Sequence, residues 1–228
     1  MTEAPRPSKV GRIIALILMG LTVFFTLMGG IGTTCVAFGA ENYDSMVGLV
    51  PYKPLYQVLV FISLAAGIWG IPVMTQLVRG KANAYRNALI VLIIGAVTAG
   101  IQTFVSQSVR GKSAPVNVRF AVTLFTLIIF LIFRLPPLWR KMRFDQPLKG
   151  NAAKTAGGAA FAVVGLLTLS APLWVAQTHM EPWISGVRMP LIIVGVALTL
   201  CGIALSAFET RSLRSKHLAL PEQSAAIQ

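Results

Sequence analysis

Few side chains in this sequence could do chemistry, and they fall into two sets. Gln57, Ser63, Gln102 and Thr103 are uncharged hydrogen-bonding groups inside long apolar runs. Such groups either bond helix to helix in lipid or line a polar cavity between helices. Glu41, Asp44, His179 and Glu181 form the second set, the one place where acid and base groups could meet. An enzyme acting on lipid would have to be built on those four, and substituting any of them would abolish its activity. His179 with Glu181 is equally the make-up of an exposed interfacial pair.

Other chemistry finds no support. There is no CxxC, nucleophile elbow, P-loop or dinucleotide fingerprint, so nothing indicates an enzyme. His179 and His217 fall on opposite sides of the predicted membrane, which removes a bis-histidine haem, and no Cys/His cluster or carboxylate pair suggests a metal. No cofactor is implied. The charge-free runs contain no ionisable group, which argues against a proton-coupled pump. Cys35 and Cys201 differ in depth by about 15 Å when the helices are counted at about 1.5 Å per residue. A disulfide needs Cα atoms within about 7 Å, so two free thiols are expected.

The elements that must position these residues are membrane spans. Of 228 residues, 55% are hydrophobic and 12% charged, against roughly 25% charged in soluble domains. The net charge of +13 sits at the ends of apolar runs, where it orients a chain in the bilayer and meets anionic headgroups. It does not indicate nucleic acid. The expected fold is all-α, a polytopic transmembrane bundle of six spans with both termini cytoplasmic. A cytoplasmic tail (1–12) precedes four spans within 13–133, with outer loops near 41–54 and 109–118. A basic cytoplasmic loop (134–154), two further spans (155–208) and a second cytoplasmic tail (209–228) follow.

The spans themselves are read at 13–40, 55–78, 88–108, the stretch before Arg134, 155–177 and 189–208. The first holds 28 residues without a charge, too long for the roughly 7–15-residue core of a cleaved signal, so it is read as an uncleaved anchor. Pro51 to Pro54 reads as an interfacial turn. The fourth is marginal: only 14 residues separate Arg119 from Arg134, and both arginines must snorkel for it to cross. This arrangement puts 15 of the 20 Lys and Arg inside, with Arg110, Lys112 and Arg119 outside against the trend.

Three further features carry expectations. Gly29 and Gly30 mark a possible break in the first span, and Pro72 and Pro172 lie at matching depths of the second and fifth. If the chain were two inverted halves of three spans, those prolines would interrupt equivalent helices around a midplane site, as in transporters. Arg134, Arg140, Lys141 and Arg143 in the central loop are either topology determinants or a patch for anionic lipid. The loop is otherwise a polar connector.

The sequence names no substrate. A non-catalytic subunit or scaffold of a membrane complex comes first, with other subunits or further copies of itself as partners besides the bilayer. A small transporter or channel for a neutral or lipid-like solute follows, with Gln57, Ser63, Gln102 and Thr103 lining a cavity between the second, third and fifth spans; the lipid enzyme comes third. The short loops and strong charge bias suggest a bacterial plasma membrane.

Overall fold

In the computed structural model, residues 9–113, 115–148, 151–175 and 188–205 are described. They form helices α1 (Lys9–Gly32), α2 (Thr34–Gly39), α3 (Lys53–Arg79), α4 (Ala84–Arg110), α5 (Val116–Phe133), α6 (Pro136–Met142) and α7 (Asn151–Val175). A last helix, α8, covers Arg188–Leu205. No strand occurs among the described residues, and six helical stretches are long and apolar enough to cross a membrane. Even the fourth, α5, has 18 residues, about 27 Å at 1.5 Å per residue.

Helices α1, α3, α4 and α5 close into a four-helix core, with α1 against α3 and α5, and α4 against α3 and α5. Helix α7 packs on α1, and α8 packs on α7. The α7–α8 contact is close because both surfaces are bare there: a Cβ on Gly165 would lie 2.4 Å from the backbone nitrogen of Thr199. Small residues allow such approach where lipid supplies no hydrophobic drive between helices. The described chain is therefore four helices plus a hairpin. The three-plus-three repeat is not seen, because the fourth span belongs to the core and the fifth only flanks α1.

The suspected breaks are also corrected. Helix α1 runs unbroken through Gly29 and Gly30, and its interruption comes at Thr33, before α2. Gly30 instead lets Leu64 approach, its absent Cβ lying 2.8 Å from the Leu64 Cδ2. Helices α3 and α7 continue through Pro72 and Pro172. The stretch read as a loop near 41–54 is helical too: tight turns over Ala40–Asn42 and Asp44–Tyr52 lead directly into α3, with Pro54 in its first turn. Proline suits that position because its missing N–H has no helical partner there.

Both ends of the core are capped. At the α2 end, Val36, Ala37, Ala40, Met46, Leu49, Tyr56 and Val60 form a buried cluster. At the α6 end, the central loop is a folded cap and not the expected connector. Met142 and Phe144 are buried against Tyr85 and Phe130, Leu148 donates its backbone N–H to Val78 O at 2.9 Å, and Arg12 donates to Leu77 O at 3.0 Å. Gly80 makes this cap possible, with φ +64 and an absent Cβ that would fall 2.1 Å from the Gln146 carbonyl carbon. Any side chain there meets both backbone strain and a collision.

Candidate functional site

Helix α5 places Arg119, Thr123, Thr126 and Phe130 on one stripe, the i, i+4, i+7 spacing of a helix face. That face turns inward. Helix α4 answers with Thr98, Gln102 and Ser106, α3 with Ser63, and α1 with Thr22, Thr26 and Gly29. The result is a polar seam along the centre of an otherwise apolar bundle.

Arg119 is its focus. The residue is 2% exposed, and its guanidinium faces only neutral oxygens. Nη1 donates to Gln102 Oε1 at 3.1 Å, and Nη2 donates to Ser63 Oγ at 2.9 Å and Thr98 Oγ1 at 3.0 Å. One of these acceptors is fixed in turn: the Thr98 hydroxyl lies 2.9 Å from Ile94 O and 3.1 Å from Gly95 O, one turn back. Helix α1 completes the enclosure, since a Cβ on Gly29 would stand 2.6 Å from Arg119 Cδ. Glycine at 29 makes room for the arginine.

Two donors at this point have no acceptor. Arg119 Nε and Gln102 Nε2 are both buried and unpartnered. The orientation of the amide follows from the bond it makes: Oε1 must face the guanidinium, which leaves the NH2 group free. No carboxylate within 4.0 Å pairs with Arg119 among the described residues, where the ion pair present is Lys53 with Glu41, 2.9 Å apart. A buried charge is ordinarily paired, and a buried donor ordinarily bonded. The site thus holds one uncompensated positive charge and an excess of donors, the reverse of a metal site.

Along the seam, the Thr22 hydroxyl donates to Thr126 Oγ1 at 3.0 Å, and Thr126 donates to Val122 O. Towards the α2 end, Tyr56 donates its hydroxyl to Gln102 O at 3.3 Å, and Ser106 donates to Lys112 O at 2.8 Å. Beyond them lies a surface depression of about 270 Å³ lined by Asp44, Ser45, Gly48, Val109, Arg110 and Lys112. Two of the three cations that broke the inside-positive trend, Arg110 and Lys112, therefore sit together at this end of the bundle, and the third, Arg119, is enclosed within it.

Of the residues expected to line a cavity, Ser63 and Gln102 meet at Arg119. Gln57 lies apart, donating Nε2 to Ala37 O at 3.0 Å in the α2 cap, and Thr103 Oγ1 is buried without a partner. The fifth span, α7, packs on α1, and α5 takes the place expected of it. The expectation that Arg119 snorkels is overturned, and with it the expectation of spans without ionisable groups: the arginine turns into the bundle, where oxygens from two other helices receive it. Arg134, by contrast, is exposed.

In the second set, Glu41 is held by Lys53, and Asp44 lines the α2-end depression. His179 and Glu181 lie outside the described residues, as do His217, residues 1–8 and the whole of the second tail; Lys9 to Arg12, expected in the first tail, instead begin α1. Cys35 and Cys201 are free thiols. The chain matches no protein-family model, no curated protein and no solved structure.

Proposed function

We propose that this chain is an integral membrane protein that binds a small monovalent anion inside its helix bundle, as a carrier, channel or anion-dependent regulator would. The observation that carries the reading is Arg119: a fully enclosed cation in a span, without a carboxylate, beside unused donors on itself and Gln102. An ionisable group inside a membrane span is costly and marks a functional site by default. A single negative ligand would balance the one charge, and Arg119 Nε with Gln102 Nε2 would hold it. Its approach would be from the α2 end, where Arg110 and Lys112 raise the local anion concentration.

The same reading puts six spans in a plasma membrane, the bacterial one, with both termini and the α6 end cytoplasmic. The distribution of Lys and Arg supports that orientation.

The test is thermal unfolding of the purified full chain at constant ionic strength, with chloride, nitrate or gluconate as the anion. A ligand that binds only the folded state stabilises it by about 2.7 kcal/mol at 100 times its Kd. Chloride or nitrate should raise the Tm saturably in the unaltered chain and not in Arg119→Met. Identical melting in all three salts rejects the anion reading.

The second reading is the subunit or scaffold, alone or as a homo-oligomer. It is favoured by the three bonds through which Arg119 ties α5 to α3 and α4, a purely structural use of the same residue. Gentle extraction followed by mass spectrometry separates the two, because a scaffold would retain a stoichiometric protein partner.

A further inference from the structure

We propose that a second anion site lies at the opposite end of the bundle, where Arg134, Trp139 and Arg140 hold the phosphate of an anionic membrane lipid. It is independent of Arg119. A cavity of about 360 Å³ is lined there by Arg134, Pro136, Trp139 and Arg140. Neither guanidinium makes a hydrogen bond or ion pair with another described residue, so both forks are free for a ligand. Two planar guanidiniums match phosphate oxygens better than point charges would.

The wall between them is built and held. The Trp139 ring meets Tyr85 edge-on at 4.7 Å between centroids and Phe144 at 6.0 Å. Tyr85 is itself fixed, its hydroxyl donating to Phe130 O, and Phe144 is buried. A cavity whose shape exists beforehand costs little ordering on binding.

The position selects lipid over free phosphate. Arg134 follows the last residue of α5, so the cavity sits where a span ends and headgroup phosphates begin. Leu135 and the exposed part of the Trp139 ring give it an apolar flank on which acyl chains can lie. The structure also narrows the basic patch. Lys141 and Arg143 do not line the cavity, and Arg143 is half-buried in a left-handed conformation, φ 44, that ends α6.

The experiment reconstitutes the full chain in phosphatidylcholine bilayers containing a minor fraction of phosphatidylglycerol, then counts retained lipids by native mass spectrometry. The unaltered chain should keep one phosphatidylglycerol, R134Q/R140Q should lose it by at least about tenfold in occupancy, and K141Q/R143Q should keep it. R134K/R140K retains the charge without the forks and should fall between; if the glutamine pair does not fold, this lysine pair decides. Equal retention by R134Q/R140Q, or by R134K/R140K where that pair decides, overturns the site. So does equal loss in K141Q/R143Q, which would make it generic charge attraction. Complete displacement of the lipid by inorganic phosphate overturns the assignment to lipid.

Discussion

Replacing Arg119 with methionine should cost little stability while abolishing the anion effect, because the residue's gains and costs largely offset each other. The side chain makes three bonds to neutral oxygens on other helices. Interhelical hydrogen bonds within membranes average about 0.6 kcal/mol, so three come to roughly 2 kcal/mol. Against this stands the cost of an arginine in a span, at most about 2.5–3.5 kcal/mol, the insertion-scale value for a helix centre, and less at the fourth residue of α5. Methionine keeps most of the volume and leaves Gln102 Oε1 without its donor, a cost of about 1–2 kcal/mol. The net change should be a loss of less than about 2 kcal/mol. Unfolding of purified protein in mild detergent, followed by helical circular dichroism, measures it. A loss above about 3 kcal/mol, the usual result of breaking a structural buried pair, would show that Arg119 is there for the fold and refute the reasoning.

Gly29→Ala drives a Cβ to 2.6 Å from Arg119 Cδ, so the arginine must shift; anion-dependent stabilisation should weaken at least severalfold, with about 1–3 kcal/mol lost, read from the same melts. Gly80→Ala adds backbone strain to a 2.1 Å collision with the Gln146 carbonyl and should cost more than about 1 kcal/mol, with faster proteolysis near residues 143–148. Gly165→Leu collides with the α8 backbone and should release the α7–α8 hairpin while leaving the chloride response intact, since α7 and α8 supply no group to the Arg119 cluster. A fall in that response would extend the site beyond the core.

The helices were legible in the sequence because apolar runs of this length need no tertiary information. Their grouping was not: nothing in 155–177 distinguishes a core helix from a flanking one, and the glycines that decide it, Gly165 and Gly195, act through contacts between helices. Ser63 and Gln102 could be picked out as polar groups in apolar runs, yet their common partner was assigned to the membrane surface. Two signals pointed to Arg119. It stood against the inside-positive trend, and Thr123 and Thr126 follow it on the same helix face. An amphipathic stripe of that kind in a span faces protein, not lipid. The folded cap at the α6 end was hidden for another reason, since Phe144 and Met142 are single apolar residues in a basic stretch and gain meaning only beside Tyr85 and Phe130.

Crystals of the full chain grown in bromide, with anomalous scattering recorded at the bromine edge, test the central claim most directly. The account predicts a bromide peak within hydrogen-bonding reach of both Arg119 Nε and Gln102 Nε2, and its loss in Arg119→Met. Bromide found only at the surface near Arg110 and Lys112, with the interior of the bundle empty, would contradict it.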